Sequence, residues 1–108
     1  MNNSRLTLLS FAALVLFLLL PNASWADDAA ALFKAKCAIC HGVDGAGKPA
    51  LKAPSLISPE AKKLTDAEIT DAIANGGKAQ KATHAYEKKG VTPEQIKSLV
   101  AYIRTLQK

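Results

Sequence analysis

The string CAICH, residues 37–41, places two cysteines and a histidine within five positions of a 108-residue chain. On a helix, residues three and four positions apart lie on one face, so Cys37, Cys40 and His41 are expected to point the same way. The chain has no other cysteine and one other histidine, His84. One helical turn therefore contains both cysteines of the chain and one of its two histidines.

The Cys-x-x-Cys-His spacing is that of c-type haem attachment. Two thiols one turn apart can each form a thioether with a haem vinyl group, and His41 then presents a ring nitrogen to the iron. Two other uses remain open. A zinc site could combine these residues with His84, although adjacent ligands fit a closed tetrahedral site poorly. A dithiol redox site would need strands around it.

The N-terminus carries a largely apolar segment, residues 6–20, followed by the string ASWA at 23–26. Small residues at the two specificity positions of this string are typical of a signal-peptidase site. The uninterrupted apolar run is too short to cross a bilayer core of ~30 Å as a helix. We therefore predict a cleaved secretory signal over 1–26 and a periplasmic domain over 27–108 that does not span the membrane; the alternative is an uncleaved anchor.

The predicted mature domain is small and moderately basic, with thirteen basic and nine acidic residues and a net charge of +4. Its aromatic residues are Phe33, Tyr86 and Tyr102, a thin core for a domain of this size. A large covalently bound group would supply the missing apolar surface.

Three segments have helical patterns, and no stretch alternates like a strand, which predicts an all-α class. A capping-box pattern, Thr65 with Glu68, begins the second segment. The third begins with Thr92 as N-cap, Pro93 at N1 and Gln95 at N3. Glycine- and proline-rich or lysine-rich loops are expected between the helices. The three helical segments are residues 27–40, 65–77 and 92–108.

At this point the chain resembles the class I c-type cytochromes, the small monohaem electron carriers of the periplasm. The resemblance rests on CAICHGVDGAGKPALKAPSL (37–56), LTDAEITDAIANGG (64–77) and VTPEQIKSLVAYIRTL (91–106), which together make up most of the mature domain. It implies the small cytochrome c fold, with three main helices and long loops around one covalent haem c. It also implies an electron carrier and not an enzyme.

The resemblance further implies roles for single residues. Phe33 and Tyr102 would lie where the first and last helices cross. The carbonyl of Pro54 would accept a hydrogen bond from the ring N–H of His41, and such bonds orient a metal ligand and tune the metal. Pro49 is a weaker candidate for the same role.

The chain departs from the family at the second axial ligand, which is usually a methionine in a loop such as Met-Pro-Ala-Tyr. Here residues 83–86 read THAY, and the only methionine is Met1, within the predicted signal. Three alternatives are open: His84, a loop lysine (Lys78 or Lys81), or an open or water-filled position. His84 is favoured because a lysine must first lose its proton, with an ordinary pKa of ~10.4.

These features predict a His/His-ligated, low-potential carrier of single electrons between redox partner proteins. The alternative is an open sixth position that binds a small gas ligand, as in a sensor or weak peroxidase. Arg104, on the last helix, is the only arginine of the mature domain, which argues against a dedicated peroxidase with its distal His and Arg. We expect a monomer that binds no nucleic acid. Eight lysines could steer an acidic partner to the haem edge: Lys34, Lys36, Lys48, Lys52, Lys78, Lys81, Lys88 and Lys89.

Overall fold

The computed structural model describes residues 24–108, so residues 1–23 of the predicted signal peptide lie outside the described part. Among the described residues there is no strand, and one isolated bridge pairs Lys48 with Ala53. The all-α class is confirmed. The helices are α1 (Ser24–Lys36), α2 (Ala38–His41), α3 (Pro59–Lys63), α4 (Asp66–Asn75) and α5 (Pro93–Leu106), with 3-10 turns at Pro49–Leu51 and Tyr86–Lys89.

The first predicted helix differs from the structure because it is interrupted at Cys37, which has φ −113° and caps α2. Backbone hydrogen bonds still cross the interruption, from the Cys37 N–H to the Phe33 carbonyl (2.8 Å) and from the His41 N–H to the Cys37 carbonyl (2.9 Å). Ala38 and His41 are the buried residues of α2, and Cys40 is exposed.

The two longer C-terminal helices begin where the N-cap residues Thr65 and Thr92 predict. The Thr65 hydroxyl accepts from the Glu68 N–H (3.1 Å) while the Glu68 carboxylate accepts from the Thr65 N–H (2.8 Å). Thr92 and Gln95 repeat this exchange at the start of α5, at 3.2 and 2.9 Å. These reciprocal bonds satisfy backbone N–H groups that no helical carbonyl can reach.

The core forms where α1 and α4 pack on α5. Phe33 and Tyr102 meet between the first and last helices, with ring centroids 5.1 Å apart and planes tilted by 53°. That tilted arrangement is favourable for aromatic pairs. The most deeply buried side chains are those of Phe33, Ile96 and Leu99.

The last helix also holds the loop that precedes α4. Arg104 Nε donates to Asp66 Oδ1 at 2.8 Å, and its terminal nitrogen donates to the Leu64 carbonyl. Gln107 donates to the Leu56 carbonyl at 2.8 Å. The short helix α3 in this region was not predicted, although Ser58 followed by Pro59 is a sequence signal for a helix start. In the range 24–108, no helix combines the length and apolar character needed to cross a bilayer.

Candidate haem-binding site

His41, the last residue of α2, is 9% exposed and is the buried polar side chain of the core. Its ring Nδ1 lies 2.9 Å from the carbonyl oxygen of Pro54. With the proton assigned to Nδ1, the ring donates to that carbonyl and leaves Nε2 free to bind a metal. This is the contact that the resemblance implies for Pro54, while Pro49 begins a 3-10 turn elsewhere in the loop.

Gly47 brings the Pro54 loop close to His41. Its N–H donates to the His41 carbonyl at 2.7 Å, and its φ is +86°. A Cβ at this position would lie 2.8 Å from the Ala53 oxygen and 2.9 Å from the carbonyl carbon of Pro54. Only glycine combines this backbone conformation with so close an approach.

His84 lies in a loop between α4 and the Tyr86–Lys89 turn, defined here as the His84 loop (residues 76–85). The His84 N–H donates to the Lys81 carbonyl at 3.0 Å, and the Lys81 N–H donates to the Gly76 carbonyl at 3.2 Å. Gly76, at φ +92°, has no room for a Cβ, which would lie 2.6 Å from the Lys81 backbone. Two linked turns therefore lead from the end of α4 to His84.

The environment of His84 favours a neutral ring. Partial burial lowers the pKa of His84, and electrostatic interactions with His41, Lys81 and Lys89 lower it further, while a hydrogen bond to the Ala72 backbone acts in the opposite direction. Neutral imidazole is the form that coordinates metals.

The fold brings the two histidines of the chain together. The ring centroids of His41 and His84 are 6.1 Å apart, with planes inclined by 31°. The two other candidate ligands, Lys78 and Lys81, are exposed. Within residues 24–108 no three His, Cys, Asp or Glu side chains are placed to hold one metal ion, so the zinc alternative lacks its ligand set.

The two cysteines are free thiols, Cys37 half-buried and Cys40 exposed. Burial raises the pKa of the Cys37 thiol to about 11, with Cys40 adding to this and Lys36 opposing it. Reactive dithiol sites instead have a cysteine of lowered pKa. Cys37 therefore lacks the lowered pKa of a reactive dithiol site, whereas the spacing of the pair fits thioether attachment to haem.

Two residues near His84, Tyr86 and Lys89, make contacts that were not predicted from the sequence. The Tyr86 hydroxyl donates to the Lys36 carbonyl at 3.0 Å, next to the first cysteine. Lys89 Nζ donates to the Thr83 carbonyl at 2.9 Å and lies 4.8 Å from the centroid of the Tyr86 ring. The position of Tyr86 after His84 was a signal in the sequence, whereas nothing there indicates the contacts of Lys89.

Comparison with known proteins agrees with this geometry at the level of the family. No curated protein matches the chain. A family model described as Cytochrome c matches residues 26–107, which is most of the chain and nearly all of the part described. The chain therefore belongs to the cytochrome c family, whose members carry electrons and bind haem c covalently through a Cys-x-x-Cys-His motif.

Proposed function

We propose that the protein is a bis-histidine monohaem cytochrome c that carries single electrons at low potential outside the cytoplasm. Cys37 and Cys40 would hold the haem as thioethers, and His41 and His84 would be the axial ligands. The haem supplies a one-electron ferric–ferrous couple. The chain's contribution is to hold that group, to fix both ligands and to keep reactants from the iron.

The observation that carries the proposal is the 6.1 Å separation of the His41 and His84 ring centroids. Imidazole nitrogens bind metals such as zinc at about 2 Å. A metal bond of similar length on each side, together with the half-width of each ring, adds up to about this separation. The spacing is therefore wide enough for one metal ion and too narrow for an additional ligand between the rings.

The remaining chemistry supports histidine as the second ligand. The sequence from residue 2 onwards contains no methionine. The lysine alternatives would need to lose a proton and leave solvent, whereas His84 is partly buried with a lowered pKa. Methionine opposite histidine raises the potential of cytochromes c. Imidazole donates more strongly to ferric iron, so we propose a low potential.

Two filled axial positions favour an electron carrier over an enzyme, because no substrate can then bind at the iron. Arg104 supports this interpretation. Its guanidinium contacts Asp66, Leu64 and Gln107, so it is engaged in holding the scaffold. A distal arginine of the peroxidase type would have to be free to contact bound peroxide.

The exposed lysines support an acidic redox partner. All eight of the lysines singled out in the sequence are exposed, and two of them, Lys48 and Lys89, donate to loop carbonyls. Exposed charges are screened beyond ~10 Å at 0.1 M salt. Electron exchange should therefore slow as salt rises; a rate that is flat with ionic strength would contradict an acidic docking surface.

Export to the periplasm as a monomeric domain, residues 27–108, is the remaining part of the proposal. It is supported by the ASWA string and by the chemistry of CAICH, since haem is attached outside the cytoplasm. The intact mass of the secreted protein should equal residues 27–108 plus one haem. A mass that retains the apolar segment would contradict cleavage.

The decisive experiment is the substitution His84→Ala in the haem-loaded protein. We expect the wild type to be low-spin and the variant to become high-spin and to bind carbon monoxide readily. His84→Met is the matched variant, because it restores the usual family ligand and should raise the potential; axial ligation can move haem potentials over ~0.8 V. An unchanged spectrum in His84→Ala would overturn the assignment in favour of an open site or Lys81.

A further inference from the structure

We propose that Lys89 and Tyr86 form a brace that positions His84 and sets how readily His84 leaves the iron. This rests on the proposed function, since it assumes that His84 is the second axial ligand. Both are positioning residues, since neither would bind the iron. Lys89 contacts the backbone on which His84 sits, and the Tyr86 ring also lies beside the His84 ring, with centroids 6.2 Å apart.

The first half of the brace closes the chain on both sides of His84. The ammonium group of Lys89 donates to the carbonyl of Thr83, which immediately precedes His84, at 2.9 Å. The same ammonium lies 4.8 Å from the centroid of the Tyr86 ring, which follows His84 by two residues. A charge-assisted hydrogen bond and a cation–π contact thus hold the two flanks of His84 together.

The second half of the brace ties the turn that follows the His84 loop to the end of α1. The Tyr86 hydroxyl donates to the Lys36 carbonyl at 3.0 Å, across 50 positions of sequence. Lys36 is the last residue of α1 and is followed by Cys37. Motion of the His84 loop away from the first cysteine must break this bond.

The backbone next to His84 does not supply that restraint by itself. Ala85 has φ +48°, a left-handed conformation that non-glycine residues adopt at a cost. The Tyr86–Lys89 segment is only a short 3-10 turn, and 3-10 geometry gives poorer hydrogen bonds than an α-helix. Side-chain contacts from Lys89 and Tyr86 are therefore expected to decide how long His84 stays in place.

The chain offers a matched control in Lys88. It lies beside Lys89 on the same turn and carries the same charge, but within residues 24–108 its side chain makes neither a hydrogen bond to the His84 loop nor a contact over the Tyr86 ring. Lys88→Met and Lys89→Met remove the same charge from adjacent positions. A difference between them reports what Lys89 does at its own position, including its charge near His84, and not the net charge of the protein.

The experiment uses the ferric haem-loaded protein with imidazole as a neutral competing ligand. At high imidazole concentration the binding rate levels off at the rate at which His84 dissociates. We expect Lys89→Met to raise this limiting rate between about threefold and tenfold, the range for loss of one hydrogen bond. Lys88→Met should leave the limiting rate at the wild-type value. Lys89→Arg keeps the positive charge and the hydrogen-bond donors, so its limiting rate should be close to that of the wild type.

Tyr86→Phe provides an independent test, because it keeps the ring under Lys89 and loses only the bond to the Lys36 carbonyl. It should also raise the limiting rate. The reduction potential gives a second measurement. Because His84 should bind ferric iron more weakly in Lys89→Met, the reduction potential of this variant should be higher than that of Lys88→Met. Equal limiting rates in Lys89→Met and Lys88→Met, together with a wild-type rate in Tyr86→Phe, would overturn the brace. Failure of the proposed function is separate, since His84→Ala would then keep the wild-type spectrum.

Discussion

His41 ends a short helix, whereas His84 lies in a loop that leads into a 3-10 turn. The ring of His41 is buried and hydrogen-bonded to the Pro54 carbonyl at 2.9 Å. The backbone carbonyl of His41 accepts a hydrogen bond from the Gly47 N–H at 2.7 Å. His84 is less buried, and the long-range contacts that hold its loop come from side chains. The His41 ring is thus fixed by a loop carbonyl close to the haem-attachment motif, whereas His84 depends on the hydrogen bonds of two turns and on the side chains of Tyr86 and Lys89.

This difference explains why the two ligands are expected to behave differently. Breaking the His41 side requires disruption of backbone hydrogen bonds next to the covalent attachment. Breaking the His84 side requires loss of the turn hydrogen bonds at Lys81 and of the contacts of Tyr86 and Lys89. Ligand exchange at the iron should therefore occur at His84, while His41 stays bound.

The largest expected effect comes from Gly76→Ala, at the start of the His84 loop. The new Cβ would lie 2.6 Å from the nitrogen and oxygen of Lys81, so the loop backbone must shift, in addition to the strain of φ +92°. We expect a loss of about 3 kcal/mol in the free energy of unfolding, measured with urea. Imidazole should also bind the iron faster.

Gly90→Ala is the control for that prediction. Gly90 has φ +89° but no atom within 4 Å of a new Cβ. It should cost only about 1 kcal/mol, the backbone strain offset by reduced entropy of the unfolded chain. Equal losses in the two variants would mean that the close approach of Gly76 to Lys81 is unimportant.

A smaller effect is expected from Gly47→Ala, on the His41 side. Its Cβ would lie 2.8–2.9 Å from backbone atoms of residues 53–55, so the carbonyl of Pro54 should move away from the His41 ring. We expect a loss of about 2 kcal/mol in the free energy of unfolding. The reduction potential should rise, because an imidazole without this acceptor donates less strongly to ferric iron.

Imidazole binding separates the two sides in this variant. Gly47→Ala should bind imidazole at the wild-type rate, because the His84 loop is untouched. Faster binding, as expected for Gly76→Ala, would show that the His41 side and the His84 side are coupled.

The smallest expected effect concerns the helix that leads into the His84 loop. Hydrogen bonds from Thr65 lower the pKa of Glu68 at the start of α4. The carboxylate therefore stabilises the fold above the ordinary glutamate pKa of about 4.3, and this contribution is lost as the pH falls through the lower pKa of the folded state. Glu68→Gln should be slightly less stable than wild type at pH 7 and equally stable at pH 3, by urea unfolding.

The capping box at the start of α5 allows the opposite substitution, from an uncharged side chain to a carboxylate. Gln95 occupies the corresponding position of α5 and is uncharged. Gln95→Glu should add a stabilising contribution with the same pH dependence, since negative charge is favourable at a helix N-terminus. A stability difference that stays constant from pH 7 to 3 in both variants would rule out charge as the cause.

The local features of this protein could be predicted from its sequence. The spacing of Cys37, Cys40 and His41 identifies haem attachment, and the N-cap residues Thr65 and Thr92 mark the starts of α4 and α5. Counting excludes methionine as a ligand from any chain that lacks Met1. These predictions succeed because each depends on residues a few positions apart, or on composition alone.

Only the tertiary structure decided how the distant parts meet. The separation of 6.1 Å between the His41 and His84 rings and the bond from Tyr86 to the Lys36 carbonyl both join distant parts of the chain. The interruption of the first predicted helix at Cys37 was likewise not indicated by its sequence. Spacing along the sequence determines which residues share a helical turn, whereas the packing of α1 and α4 on α5 determines which turns come together.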